Sequence, residues 1–133
     1  MKLLLDSNIC IYIIKQRPPN VLAKFKEHSP GEIGVSPITV TELQYGIWKS
    51  QQKKRNQQAL NQFLFPLVIA NFDNQAAAAY GEIRSKLDSQ GTPIRSLDTL
   101  IAAHALSLEM TLVTNTIRES GRISGLTINN WAL

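Results

Sequence analysis

Cysteine is almost absent: Cys10 is the one thiol in 133 residues. No internal disulfide can form, and Cys10 sits among apolar neighbours as a small buried hydrophobe, in keeping with a reducing cytoplasm. No apolar run approaches the roughly 20 residues that a membrane span needs. The N-terminal run carries one lysine and is broken by Asp6 and Asn8, too short and too polar for a signal peptide. The glycine-rich phosphate loop, the dinucleotide glycine pattern, the nucleophile elbow and paired Cys/His zinc spacing are all missing. Internal repeats, low-complexity tracts and linkers are missing too, so one domain is expected over residues 1–133. Excess charge is also modest. Fourteen basic and ten acidic residues give a net charge of +4 and a pI near 9.4, compatible with a phosphate-rich or nucleic-acid partner without demanding one.

What the chain does have is short apolar runs that end in polar lips. Leu3-Leu4-Leu5 stops at Asp6-Ser7-Asn8, and Met110 to Val113 stops at Thr114-Asn115-Thr116. Runs of this kind read as buried parallel strands. Two more strands are expected at Ile33 to Val35 and Leu67 to Phe72, with an edge strand around Leu126 to Ile128. Between them lie helical patterns: Ile9 to Lys15, Val21 to His28 with Asn20 as cap, and a helix opened by Ser36-Pro37. An amphipathic stretch around Ala59 to Leu64 and a long helix from Gln75 to Ser89, capped by Asp73 and stopped by Gly91, follow. An almost wholly apolar helix through Leu100 to Leu106, with Ser96 as cap, is expected to be buried. Helices alternating with apolar strands predict an α/β/α three-layer fold around a mostly parallel sheet.

In such sheets ligands bind beyond the carboxyl ends of the strands. Asp6, Glu42, Asp98 and the Asn115/Glu119 region all fall at that rim. Each has a structural alternative. Asp6 can cap the first helix, Glu42 can form a capping box with Thr39, and Asp98 can answer the helix dipole. With Ser36 as cap, however, Glu42 lies in the second turn and has no backbone donor to satisfy. His104 reads as a packed core residue and His28 as a surface one. Carboxylates gathered in a cleft repel unless a cation joins them, and oxygen-only ligands select Mg2+ or Mn2+. The run Lys49, Lys53, Lys54 and Arg55 is either a solvated helix end or a track for the phosphates of a nucleic-acid partner.

Several motifs agree in order and spacing. Leu5-Asp6-Ser7-Asn8-Ile9, Ser36-Pro37-Ile38-Thr39-Val40-Thr41-Glu42-Leu43 with Tyr45-Gly46, Asp98-Thr99-Leu100-Ile101-Ala102-Ala103-His104-Ala105 and Leu112-Val113-Thr114-Asn115 together resemble the PIN-domain nucleases. Arg118-Glu119, Gly125-Leu126 and Trp131 continue the resemblance across essentially the whole chain. Within the PIN domains it is most similar to the VapC toxin ribonucleases of bacterial type II toxin–antitoxin pairs. The resemblance implies that Asp6 and Asp98 hold Mg2+ most directly and that Glu42 holds it directly or through water. Asn8, Thr114 and Asn115 then shape the pocket. The fourth acidic position departs from the common pattern: Thr116 stands where many PIN domains carry Asp, and Glu119 is expected to supply the charge. Ser120 stands where Phe is frequent. The implied partners are an RNA substrate (tRNA in some branches), a cognate antitoxin, a second copy of the chain, and DNA only through the antitoxin. An RNA-processing nuclease without toxin role, or a PIN domain that binds without cutting, are the alternative readings.

Overall fold

The computed structural model describes residues 1–132. Five short strands form one sheet: β1 (Leu3–Leu5), β2 (Ile33–Val35), β3 (Val68–Ile69), β4 (Thr111–Val113) and β5 (Ile128–Asn129). Their order is β3-β2-β1-β4-β5, and every pairing is parallel. The strand nearest the N-terminus is therefore central. Leu3, Leu4 and Leu5 pair with Ile33, Gly34 and Val35 on one side and with Thr111, Leu112 and Val113 on the other.

Seven helices cover the sheet: α1 (Ser7–Lys15), α2 (Pro19–Lys26), α3 (Pro37–Trp48), α4 (Lys53–Leu64), α5 (Asn74–Ser89), α6 (Ser96–Ser107) and α7 (Ile117–Ser120). Alternation along β1 splits the core in two. Leu5 faces Ile9, Ile13, Val21, Leu43, Ile47, Leu60 and Trp131, the layer of α1 to α4. Leu4 faces Ile83, Leu87, Ile101, Ala102 and Leu112, the layer of α5 and α6. The central strand β1 and its neighbour β4 are closely packed and leave little room for polar side chains until they emerge, which is why these two end in abrupt polar lips. None of the described helices is long and apolar enough to cross a membrane.

Local sequence explains most boundaries. Ser36 accepts from the Ile38 amide at 3.1 Å and Pro37 takes the first helical position of α3. Asp73 accepts from the Ala76 amide, and Gly91, with φ +69°, lets the chain leave α5 in a left-handed conformation. The expected Asn20 cap is corrected: α2 begins earlier, behind Pro18, and Asn20 lies inside its first turn. The expected strand Leu67 to Phe72 shrinks to two residues, because Phe72 turns away to pack edge-on against His104 at 5.1 Å. Helix α6 starts at Ser96 with Arg95 at the cap, one residue earlier than the sequence suggests.

The two histidines part company. His104 is fully buried, its Nε2 is 2.9 Å from the Asn71 carbonyl, and burial lowers its pKa. His28 is not the plain surface residue expected. Its ring stacks on Trp131 at 5.5 Å and 6°, and it lies 3.8 Å from Glu32. Cys10 is fully buried and free, as its neighbours implied.

Candidate active site

The rim beyond β1 and β4 receives side chains from four elements. Asp6 follows β1 directly, Glu42 projects from the second turn of α3, Asp98 occupies the first turn of α6, and Glu119 lies on α7. The parallel register brings them together. The Asp6 amide bonds to the Val113 carbonyl at 3.0 Å, so the two polar lips start side by side.

Asp6 is both cap and cluster member. Its Oδ1 accepts from the Ile9 amide at 2.9 Å, yet the side chain is only 8% exposed and bonds to the Thr114 hydroxyl. Burial raises its pKa from 3.8 to about 6; the Thr114 and Ile9 donors oppose the rise, and the Asp98 and Glu42 charges add to it. Burial likewise raises Asp98, opposed by Arg95 and reinforced by Glu119 and Glu42. The four carboxylates thus share one field.

Hydroxyls and amides hold the cluster in place. Ser7 donates to Glu42 Oε1 at 2.7 Å, which frees Glu42 from any capping duty. The Thr114 oxygen accepts from the Thr116 amide at 3.0 Å and lies 2.7 Å from the Thr116 hydroxyl. An ionised Asp6 can only accept, so the Thr114 proton goes to Asp6 and Thr116 donates to Thr114. Asn115 donates to the Tyr12 hydroxyl at 2.8 Å and accepts from Asn8 at 3.4 Å, tying the β4 lip to α1. Tyr12 did not stand out in the sequence, and Thr116 stood out only as a missing acid, not as a hydroxyl behind Thr114. The available signal for Tyr12 was its place one helical turn after Asn8.

A metal has been inferred from donor type, and the structure gives that a direct test. Asp98 Oδ2 and Glu119 Oε2 are buried without any hydrogen-bond partner. Buried carboxylate oxygens are costly when left unpaired, and an all-oxygen donor set suits a hard divalent cation. Among the described residues no three acidic, histidine or cysteine side chains already stand at ligand spacing. The donors suit a hard cation in their chemistry, and no closed protein cage for one stands among the described residues.

Beside the carboxylates a groove of about 420 Å³ runs between α1, α3 and α4, from Ser7, Asn8 and Glu42 past Ile11, Leu43 and Ile47 to Asn56. On the outer face of α3, Tyr45 and Trp48 are 67% and 70% exposed, with Lys49 Nζ 5.3 Å from the Tyr45 ring centre. Lys53, Lys54 and Arg55 form the exposed first turn of α4. Lys53 donates to the Ser50 carbonyl and Arg55 to Gln52. These basic residues stand outside the carboxylate cluster.

The Asp6 pKa carries a stability consequence for the metal-free protein. The folded state binds this proton more tightly than the unfolded chain, so stability is largest below about pH 4. It is lost as pH rises through about 6. The loss of this Asp6 contribution is of the order of 3 kcal/mol, and Asp98 shifts in the same direction. Urea unfolding in EDTA between pH 4.5 and 7.5 will show this decline. Asp6→Asn, which keeps the cap, should flatten it; a wild type whose stability rises over that window contradicts the assignment.

Known proteins match this architecture. The family model of the PIN domain matches residues 3–116. Ribonuclease VapC2 of Haemophilus influenzae is 42% identical over 131 residues, 98% of each chain. The tRNA(fMet)-specific endonuclease VapC of Shigella flexneri is 38% identical over 132 residues, 99% of each chain. Among solved structures, DNA-bound VapBC from Salmonella typhimurium superposes with a TM-score of 0.93 at 38% identity, covering 98% of each chain. Fold, polar rim and full-length identity agree: the chain belongs to the PIN-domain family, in the branch of the VapC ribonucleases.

Proposed function

We propose that this protein is a Mg2+-dependent endoribonuclease, the toxin of a type II toxin–antitoxin pair. The observation that carries the reading is the convergence of Asp6, Glu42, Asp98 and Glu119 on one rim, two of them with buried oxygens that accept no hydrogen bond. Asp6 and Asp98 hold the cation (Mn2+ can replace it), Glu42 holds it directly or through water, and Glu119 supplies the fourth charge. Bound there, a divalent ion neutralises charge on a phosphodiester and lowers the pKa of a water.

The chain's own residues do the positioning. Thr114, backed by Thr116, fixes the Asp6 carboxylate, and Ser7 fixes Glu42. Asn8 and Asn115, braced by Tyr12, shape the wall on the α1 side. Lys49, Lys53, Lys54 and Arg55 offer exposed positive charge to RNA phosphates outside the cluster.

Partners follow from the relatives. One structural neighbour is a VapBC complex on DNA, which supports a cognate antitoxin here, with DNA reached only through it. The apolar groove beside Glu42, near exposed Trp48, suits an apolar and basic antitoxin segment. The Shigella relative is named for tRNA(fMet) cleavage, and a structured RNA such as tRNA is the substrate proposed. Homodimerisation, assembly with the antitoxin into a hetero-oligomer and a cytoplasmic location complete the reading.

The test is cleavage of a tRNA pool by purified protein with Mg2+, with Mn2+ and with EDTA, resolved by fragment sequencing. Cuts at few positions, lost in EDTA and restored by Mg2+, are expected. Equal cleavage in EDTA, or none with either metal, sinks the reading.

A further inference from the structure

The acidic rim must admit an RNA phosphate, and one cation stands on it. Arg95 caps α6, and its Nε lies 3.5 Å from Asp98 Oδ2. Among the described residues no other ion pair reaches Asp6, Glu42, Asp98 or Glu119. The backbone of Arg95 is held firmly: its carbonyl accepts from both the amide and the hydroxyl of Thr99, each at 2.9 Å. The approaching loop is tied down as well, because Arg122 donates to the Pro93 carbonyl at 3.3 Å. The side chain is the opposite, 77% exposed. Asp98 Oδ2 meanwhile has no hydrogen bond, so the contact is a loose ion pair and not a fork.

An exposed, loosely made pair of this kind is weak and easily surrendered. A divalent ion held by Asp6 and Asp98 takes over the neutralising task, and the guanidinium is left at the site's edge with planar N–H donors and no partner. Bidentate phosphate recognition is what such a group does best. We propose that Arg95 is a substrate-contact residue, covering Asp98 in the metal-free protein and turning to a phosphate of the RNA once a divalent cation occupies the carboxylates. The proposal rests on the nuclease reading above. It deepens that reading by naming the residue that admits a polyanion to an acidic rim.

The experiment compares wild type, Arg95→Gln and Arg95→Lys in three measurements. Mn2+ binding without RNA is followed by calorimetry. Cleavage of a labelled tRNA pool is followed against RNA and NaCl concentration. Melting temperature checks the fold. Arg95→Gln should bind Mn2+ more tightly, since a competing cation is gone. Its KM for RNA should rise about tenfold, the worth of one charge-assisted hydrogen bond. The slope of log KM against log salt should lose about one unit. Arg95→Lys should recover the slope and only part of the KM, because lysine has the charge without the fork. An Arg95→Gln protein with unchanged KM and salt slope overturns the proposal, as does one that binds Mn2+ more weakly, which makes Arg95 a mere support of Asp98. A wild type that binds Mn2+ but cuts no RNA instead removes the nuclease reading beneath it.

Discussion

Asp98→Asn should reduce RNA cleavage by roughly a thousandfold while the protein stays folded. The reasoning starts from position. Asp98 lies in the first turn of α6, where a negative charge is favoured by the helix dipole, but burial and the Glu119 and Glu42 charges work against its ionisation. Asparagine loses the dipole attraction and the Arg95 pair, both small at a partly exposed position. It gains by relieving like-charge repulsion. The metal-free melting temperature should therefore stay level or rise. Cleavage cannot survive in the same way, since a neutral amide is a poor ligand for a hard divalent ion and leaves the phosphodiester's charge unbalanced. Paired melts and cleavage assays, with and without Mg2+, separate the two effects. An Asp98→Asn enzyme that cuts RNA at the wild-type rate removes Asp98 from the site.

Trp131→Ala should be the most destabilising single change outside the site, at about 3–5 kcal/mol. The indole is 2% exposed, belongs to the same core layer as Leu5, Ile9 and Ile13, and stacks on His28. It follows β5, the edge strand that pairs with β4, so its loss opens a cavity where the end of the chain is fastened to the start. Melting should fall by roughly 10–20 °C. Trp131→Phe, which keeps most of the buried area, should recover over half of that. A melting temperature within a few degrees of wild type for the alanine variant means that the layer closes around the gap and the stack is incidental.

How much of this was legible beforehand differs by residue. The strands around Leu3–Leu5 and Ile33–Val35 were plain because a fully buried parallel strand permits only apolar residues. Ser36-Pro37 and Asp73 marked helix starts through local hydrogen-bonding chemistry. That Asp6, Glu42 and Asp98 would gather at one rim was legible from motif order and, for Asp6, from its place at a strand end. What escaped depended on contacts between distant segments. Nothing near Tyr12 announces Asn115, which is 103 residues away. Thr116 looked like a lost acid rather than a hydroxyl behind Thr114. The strand through Leu67 to Phe72 was overextended because its apolar run is real. Phe72 spends its hydrophobicity on His104 in another layer, and no local pattern distinguishes the two uses.

The central place of β1 in an all-parallel sheet sets an order of events. Its neighbours β2 and β4 begin about 30 and 108 residues downstream, and the rim draws on residues 6, 42, 98 and 119. In the folding chain β1 can pair with β2 while its second partner, far along the sequence, is still undocked. Until β4 docks, Asp6 lacks the Thr114 hydroxyl that orients it, and Asp98 and Glu119 have no frame that brings them to it. Such long-range pairing is slow to close. A chain in which β4 has not yet docked therefore carries the individual carboxylates without the frame that gathers them into one rim.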